Sequence, residues 1–222
     1  MVVSALIISG GLGFIVWRDL LEYHQKKKMT IHSKIALTVT GTLLLGGFVV
    51  FFFTERNGAT LVEGNMFQRL ANTFFMSVTP RTAGYYSVDY LHMSHAGLIL
   101  TMFLMYIGGT SGSTAGGLKT TTLGVLLIQM RSMLKGRTRA EAFGRTIRQG
   151  AVLRALTLFF VTLTLCVVAI MILSVTETIP KTSGIEYIAF EVFSAFGTVG
   201  LTMGLTPDLT AIGKLIIIAL MY

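Results

Sequence analysis

Charged residues are scarce in this chain. Only 13% of its 222 residues are Asp, Glu, Lys or Arg, whereas 53% are hydrophobic. A soluble domain has roughly 25% charged residues. The mean hydropathy of +0.73 agrees with this shortage of charge. Composition therefore excludes a soluble enzyme or soluble binding domain and predicts an integral membrane protein.

Cysteine and proline are also rare. The single Cys166 lies in an apolar run, which excludes a disulfide framework. Three prolines and the lack of a low-complexity tract argue against long disordered tails. The four histidines show no catalytic or metal-ligand spacing with Cys166 or the carboxylates, so we expect neither an enzyme nor a cofactor. A phosphate-binding loop is not expected either, since Leu118 separates Gly117 from Lys119.

The basic residues are concentrated in two segments. Of the 18 Lys and Arg residues, five fall in 18–34 and seven fall in 131–154. Cytoplasmic loops of membrane proteins carry such an excess, so both segments are predicted to be cytoplasmic. This clustering does not favour nucleic-acid binding, despite the net charge of +8. A docking surface for a cytosolic partner is the alternative interpretation of the same residues.

The apolar segments divide the chain into five parts. We predict a transmembrane helix over 1–22, a cytoplasmic loop over 23–34, a first unit over 35–133, a basic cytoplasmic linker over 134–152 and a second unit over 153–222. Short loops are expected inside the two units, over 55–63 and 175–184. The last apolar stretch reaches only about 18 Å, against a hydrocarbon core of about 30 Å. We therefore expect the chain to be cut inside a membrane helix.

Two short apolar helices each lead into a Thr-x-Gly tripeptide. The first helix is predicted over 66–78 and precedes Thr82-Ala83-Gly84; the second is predicted over 185–195 and precedes Thr198-Val199-Gly200. Neither is long enough to cross a bilayer, which takes about 20 apolar residues. An offset of 116 residues (200 minus 84) superposes the two tripeptides. The order of the surrounding elements repeats as well, with the same predicted orientation.

The two tripeptides have the properties of a cation filter. A half-helix that ends inside the membrane directs its negative C-terminal dipole at the cavity, and a following glycine lets the backbone turn its carbonyls to an ion path. Rings of such carbonyls replace the hydration shell of potassium. An ordinary turn at each tripeptide is the alternative. The predicted filter residues are Thr82, Ala83, Gly84, Thr198, Val199 and Gly200, with potassium at the carbonyls of Thr82, Ala83, Thr198 and Val199.

Two charged residues lie close to the tripeptides. Arg81 directly precedes the first one, and we expect it to lie off the ion path, where it holds helix carbonyls or a carboxylate. Glu191 lies inside the second short helix. The favoured interpretation is a buried, hydrogen-bonded carboxylate behind the filter, and an ion ligand is the alternative.

A glycine-rich segment interrupts the long apolar stretch 91–133. Five glycines fall within the ten residues 108–117, and each costs roughly 1 kcal/mol relative to alanine in a helix. We predict a break inside the membrane that serves as a gate below the filter. A helix-packing site is the alternative, since small residues four apart let helices approach closely. The gate residues are Gly108, Gly109, Thr110, Ser111, Gly112, Ser113, Thr114, Gly116 and Gly117.

With these three motifs in this order, the chain resembles the Trk/Ktr/HKT potassium transporters, and within them the KtrB membrane subunits of bacterial Ktr systems. The resemblance covers almost the whole chain. It implies an all-α integral membrane protein built like a potassium channel, from four repeats of two transmembrane helices with a pore half-helix between them (M1–P–M2). On this resemblance 1–22 is the M2 helix of the second repeat, 35–133 is the third, and 153–222 is the fourth without most of its M2.

The resemblance also implies a function and partners. It implies sodium-dependent potassium uptake across the bacterial cell membrane, by a homodimer in the lipid bilayer on which a cytosolic, nucleotide-binding regulatory ring (KtrA-like) docks. Two tripeptides cannot enclose an ion, so we expect that the chain does not conduct by itself. Two other classes remain open: an inverted-repeat secondary transporter of a small solute, whose repeats would have opposite orientations, and a non-conducting fragment or scaffold.

Overall fold

The computed structural model of the chain describes residues 1–55, 65–137, 139–177 and 184–222. The loops expected over 55–63 and 175–184 lie mostly outside these residues. The described part is mainly helical, with an antiparallel pair of two-residue strands, β1 (Glu141–Ala142) and β2 (Arg145–Thr146). Its helices are α1 (Val2–Lys26), α2 (Ile31–Thr54), α3 (Met66–Val78), α4 (His95–Tyr106), α5 (Thr120–Leu134), α6 (Gln149–Thr176), α7 (Glu186–Phe196) and α8 (Ala211–Met221).

Three helices in the described part are long and apolar enough to cross a membrane. These candidate spans are Val2–Gln25, Ile31–Thr54 and Gln149–Thr176. Half-helices α3 and α7 have only 13 and 11 residues. The chain is therefore an all-α membrane protein that combines full spans with half-helices too short to reach the opposite surface.

Several boundaries differ from those predicted. The cytoplasmic loop expected over 23–34 contains only residues 27–30, because α1 continues to Lys26 and ends at Lys27 in the left-handed region, with φ of 48°. The Thr30 hydroxyl then accepts a hydrogen bond from the Ser33 N–H and starts α2 early. The linker expected over 134–152 also narrows, to 135–148, since α6 begins at Gln149. The apolar segments indicated where the spans lie, but the helices also include polar residues at their ends and are therefore longer than those segments.

Half-helix α3 runs antiparallel to α2. The ring of Phe74 lies 6.2 Å from that of Phe48, and the Ser77 hydroxyl donates to the Leu44 carbonyl at 2.8 Å. As α3 proceeds toward its end, it thus meets earlier residues of α2. Since α2 starts at the basic surface, α3 enters from the opposite surface and ends near the middle of the span.

Half-helix α7 runs parallel to α4 and enters from that same surface. At their beginnings, His95 Nδ1 lies 3.5 Å from Glu186 Oε1. Near their ends, the rings of Tyr106 and Phe196 stack at 5.5 Å. The two half-helices therefore share one orientation, whereas an inverted repeat would give them opposite ones.

The two basic segments meet at the opposite surface. The Lys34 ammonium lies 5.6 Å from the centre of the Phe143 ring, which belongs to the hairpin between β1 and β2. This contact joins the start of α2 to the segment between α5 and α6. The positive-inside rule assigns this surface to the cytoplasm.

Tyr106 joins three helices in the core. Its side chain is 5% exposed, and its ring contacts those of Phe159, Phe193 and Phe196 at 5.5–6.0 Å. Its hydroxyl lies 2.7 Å from the Thr162 hydroxyl and donates to the Phe159 carbonyl at 3.0 Å. The end of α4 is thereby held against α6 and α7, with its polar atom satisfied.

A carboxylate at the end of one helix caps the start of another, and this contact occurs twice. Glu55, just after α2, accepts hydrogen bonds from the Ser94 N–H at 3.3 Å and from the Ser94 hydroxyl at the start of α4. Glu177, just after α6, accepts from the Thr210 N–H at 2.9 Å and its hydroxyl at 2.5 Å at the start of α8. Both glutamates are buried. In each case the cap ties the outer end of a full span to the next membrane helix.

These caps were not predicted from the sequence, although the repeat aligns the residues that form them. The offset of 116 that aligns the tripeptides also aligns Ser94 with Thr210 and Gly97 with Gly213. A Cβ at either glycine would overlap an oxygen of the capping glutamate. A small residue is therefore required one turn after each cap.

The cap at Glu177 is expected to contribute measurably to stability. Glu177→Ala removes the acceptor of the Thr210 N–H and hydroxyl at the start of α8, which costs about 0.5–1.5 kcal/mol per hydrogen bond. Unfolding of the detergent-solubilised protein in increasing SDS would measure this loss. Glu141→Ala is the matched control, since Glu141 is exposed. Equal midpoints for the two variants would contradict the role of the cap.

Candidate functional site

Both tripeptides have the same unusual backbone. Thr82 and Gly84 have φ of 63° and 68°, and Thr198 and Gly200 have φ of 50° and 88°. The residue between each pair does not have positive φ. Such alternation turns successive carbonyls to one side of the strand. The left-handed region costs a non-glycine residue about 1–2 kcal/mol, and strain of this kind concentrates at functional sites.

The N–H groups of the tripeptides point back to the half-helices. The Ala83 N–H donates to the Thr79 carbonyl at 3.2 Å, and the Val199 N–H donates to the Ser194 carbonyl at 2.8 Å. The opposite edge of each tripeptide is different: within the described ranges, no hydrogen-bond donor reaches the carbonyls of its first two residues. These are the four oxygens predicted to bind potassium, those of Thr82, Ala83, Thr198 and Val199.

The two tripeptides lie side by side. A Cβ at Gly84 would overlap the Val199 carbonyl oxygen and lie 3.4 Å from the Gly200 Cα. Residues 116 positions apart in sequence are therefore in backbone contact. At Gly200, by contrast, no heavy atom of the described residues lies within 4 Å of a Cβ.

Glu191 is a buried carboxylate with two hydroxyl partners. It is 5% exposed and accepts hydrogen bonds from the Thr202 hydroxyl at 2.9 Å and from the Thr206 hydroxyl. Both threonines follow the second tripeptide. This is the hydrogen-bonded arrangement that the sequence favoured over an ion ligand, and it ties the tripeptide's exit to α7.

The hydrogen-bond partner of Arg81 differs from the one we expected. It is buried, at 6% exposure, and its Nη2 donates to the Thr40 hydroxyl at 3.3 Å. We predicted helix carbonyls or a carboxylate as its partners, but α2 presents a hydroxyl at this position. Its Nε has no hydrogen-bond partner among the residues that the structure describes. A small cavity beside it is also lined by Gly11 and Gly109.

The glycine-rich loop (residues 108–117) interrupts the helix between α4 and α5. Ile107 and Leu118 form a parallel bridge, supported by hydrogen bonds from the Gly108 N–H to the Leu118 carbonyl at 3.0 Å and from the Leu118 N–H to the Tyr106 carbonyl at 2.9 Å. The parallel pairing closes the loop at its base. The chain leaves α4, turns once through the loop and continues into α5 in the same direction.

The glycine-rich loop touches the second tripeptide. A Cβ at Gly116 would overlap the Thr198 hydroxyl and lie 2.8 Å from the Gly197 carbonyl oxygen. Because α7 enters from the outer surface and the chain then turns back, Gly197 is the innermost part of this segment. The loop therefore lies at the cytoplasmic end of the tripeptide.

A second group of glycines, which was not among the predicted site residues, reaches the same loop. Gly13 has φ of 72° and ψ of 160° and breaks α1. The Phe14 N–H donates to the Gly112 carbonyl at 3.2 Å, and the Thr110 N–H donates to the Gly11 carbonyl at 3.0 Å. Three glycines within residues 10–13 were a visible signal, of the same kind that identified 108–117.

An acidic side chain lies on the outer side, beyond the first tripeptide. Asp89 accepts hydrogen bonds from the Leu91 N–H at 3.0 Å and the Tyr86 hydroxyl at 2.8 Å. Both hydrogen bonds lower the pKa of the Asp89 carboxyl below its usual value, and the bond from the Leu91 N–H has the larger effect. Asp89 therefore stays ionised at neutral pH, and a negative charge at a pore mouth attracts cations.

The chain is similar to known cation transport proteins. The sequence profile of the TrkH family, described as a cation transport protein, matches residues 1–222. The chain is 84% identical over 222 residues to the potassium/sodium uptake protein NtpJ of Enterococcus hirae, with 100% of this chain and 49% of that protein covered. It is 40% identical over 225 residues to the Ktr system potassium uptake protein B of Bacillus subtilis, with coverage of 100% and 49%.

A solved structure has the same fold. The potassium transporter TrkH from Vibrio parahaemolyticus superposes with a TM-score of 0.74 at 18% sequence identity, over 98% of this chain and 47% of that one. The chain thus spans about half the length of the relatives it matches.

Gly84→Ala is expected to destabilise the contact between the tripeptides. The added methyl meets the Val199 carbonyl and also imposes the left-handed penalty of about 1–2 kcal/mol. Gly46→Ala is the matched control, because Gly46 lies within α2 with no atom within 4 Å of its Cβ, and alanine there is expected to stabilise by roughly 0.5–1 kcal/mol. SDS unfolding midpoints should move in opposite directions; a shared direction would contradict the packing at Gly84.

Glu191→Ala is expected to loosen the exit of the second tripeptide. It removes the common acceptor of the Thr202 and Thr206 hydroxyls, a loss of about 0.5–1.5 kcal/mol per hydrogen bond, whereas Glu191→Gln retains an acceptor oxygen. Hydrogen exchange of residues 198–206, followed by mass spectrometry, should rise much more in Glu191→Ala than in Glu191→Gln. Unchanged exchange in both variants would show that Glu191 does not stabilise the exit of the tripeptide.

Proposed function

The chain belongs to the TrkH family of cation transport proteins, and from this premise we propose that it supplies two of the repeats of a potassium uptake pore. It is a multi-pass protein of the bacterial cell membrane and a transport protein, not an enzyme. Each tripeptide contributes one strand of the selectivity filter. Potassium binds to the backbone carbonyls of Thr82, Ala83, Thr198 and Val199.

One observation carries this proposal: the two tripeptides share the same alternating backbone, lie in contact, and leave their four carbonyls without donors in the described part of the chain. Irregular backbone inside a membrane is tolerated where it is buried in protein or lines a wet cavity. A dehydrated cation supplies what these carbonyls lack. An ordinary turn would not require a strained threonine in both repeats.

The surrounding helices favour a cation electrostatically. Both half-helices enter from the outer surface and end near the tripeptides, so their negative C-terminal ends point to the same region. Asp89 keeps a negative charge on the outer side. Potassium would thus approach from outside, exchange water for carbonyls and leave on the cytoplasmic side.

The glycine-rich loop is proposed as the gate. Its contact with Gly197 and Thr198 supports a position directly below the second filter strand. Its residues, Gly108, Gly109, Thr110, Ser111, Gly112, Ser113, Thr114, Gly116 and Gly117, carry no bulky side chain. The backbone can therefore block the path or move aside without repacking the core.

Sodium coupling and partners are part of the same proposal. The name of the Enterococcus hirae relative includes sodium, and the Bacillus subtilis relative belongs to a named Ktr system, which suggests a regulatory component. We assign its docking to the basic cytoplasmic surface, where Arg139, Arg145 and Arg148 are exposed. The functional protein is expected to be a homodimer in lipid.

Potassium uptake tests the proposal directly. The chain would replace the matching half of its Enterococcus hirae relative in a whole-length chimera, expressed in cells that lack their own potassium importers. The chimera should take up potassium, and Gly84→Ser should reduce selectivity for potassium over sodium about tenfold, or about 1.4 kcal/mol. Gly46→Ser is the control outside the filter.

Two results would contradict the proposal. The first is a chimera that is present in the membrane but takes up no potassium with or without sodium. The second is unchanged selectivity in Gly84→Ser. The 222-residue chain expressed alone is expected to give no uptake, since two filter strands do not surround an ion.

A further inference from the structure

Gly13 leaves backbone groups of α1 without helical partners. Its φ of 72° and ψ of 160° interrupt the helix in the middle of a membrane span. Carbonyls just before the break and N–H groups just after it lose their usual partners four residues away. Inside a membrane such groups must be satisfied by protein or by a wet cavity.

The glycine-rich loop satisfies these groups. The Thr110 N–H donates to the Gly11 carbonyl at 3.0 Å, and the Thr110 hydroxyl donates to the Leu12 carbonyl. On the other side of the break, the Phe14 N–H donates to the Gly112 carbonyl at 3.2 Å. The loop thus supplies two donors to carbonyls before the break and one acceptor to an N–H group after it. These are the kinds of backbone group that a broken helix leaves without partners.

Backbone contact at this junction requires glycine. A Cβ at Gly13 would lie 2.8 Å from the Gly112 carbonyl carbon and from the Ser113 nitrogen. A Cβ at Gly109 would lie 3.0 Å from the Gly11 carbonyl oxygen. Thr110 is fully buried between the two elements.

The broken helix is itself held in place at its cytoplasmic end. Asp19 Oδ2 accepts hydrogen bonds from the Thr30 N–H at 3.1 Å and from the Ser33 hydroxyl at 2.6 Å. These bonds fix the end of α1 to the start of α2. The break at Gly13 is therefore a fixed support, against which the loop can be held or released.

We propose that the break in α1 at residues 11–14 is a seat for the glycine-rich loop, and that Thr110 and Gly112 are the positioning residues that hold the loop below the filter. This inference rests on the proposed function, because it assigns a closed state to the gate proposed there. The seated loop contacts α1 on one side and Gly197 and Thr198 on the other. Release breaks three hydrogen bonds at once, so the loop has two distinct positions.

A disulfide between loop and seat tests the proposal. A Cβ on Gly112 would lie 3.4 Å from Ile15 Cγ1, close to where a cysteine sulfur at position 15 would lie. Ile15→Cys with Gly112→Cys would be placed in the whole-length chimera, with Cys166 and every other cysteine replaced by alanine. Oxidation should lower potassium uptake at least tenfold, dithiothreitol should restore it, and neither single-cysteine variant should respond.

A second variant avoids any strain from cysteine at position 112. Thr110→Val removes the hydroxyl donor but keeps the shape of the side chain. Loss of one hydrogen bond should shift the loop away from its seat and raise potassium uptake without a regulatory partner about fivefold. Thr157→Val is the matched control, because the Thr157 hydroxyl donates to the Leu153 carbonyl within α6 and to no other described residue. A merely structural role of Thr110 would lower uptake instead.

The outcomes separate the seat from the transport function. Failure of the disulfide to form, or unchanged uptake once it is formed, would overturn the seat while the unmodified chimera still transports potassium. Unchanged or lowered uptake in Thr110→Val would also overturn it. If the unmodified chimera takes up no potassium, the proposed function fails, whether or not the disulfide forms.

Discussion

Satisfaction of backbone hydrogen bonds in a medium without water is the constraint on which this structure depends. Full spans such as α2 and α6 satisfy it internally. Every interruption needs an external partner. The break in α1 finds one in the glycine-rich loop, the loop closes on itself between Ile107 and Leu118, and the tripeptides bond back to their half-helices. Within the described residues, the carbonyls of the first two residues of each tripeptide accept no hydrogen bond, as the proposed ion site requires.

The two repeats share backbone conformations and helix caps more than they share side chains. Strained threonines at 82 and 198 occupy equivalent positions, and glutamates at 55 and 177 cap the following membrane helices in the same manner. The glycine-rich loop lies only in the first unit of the described chain, and it contacts the tripeptide of the second. Adjacent repeats are therefore coupled through the backbone near the proposed ion path.

Several buried carboxylates among the described residues accept hydrogen bonds from hydroxyl groups. Glu191 is held by two threonines, Glu177 by Thr210 and Asp19 by Thr30 and Ser33. Hydroxyl donors allow a carboxylate to join helix ends without a buried cation, whose own desolvation would be costly. These carboxylates fix the positions of helix ends.

The sequence alone determined the spans, the half-helices and the motifs. Apolar length, basic loops and glycine content are local properties, and the motifs also supported the family resemblance. Tertiary structure decided which glycines meet: Gly84 with Val199, Gly116 with Thr198, and Gly13 with Gly112. It also decided that Thr40 would be the partner of Arg81 and that α1 would support the loop. Such contacts join residues distant in sequence, and only the packing of whole helices brings their backbones together.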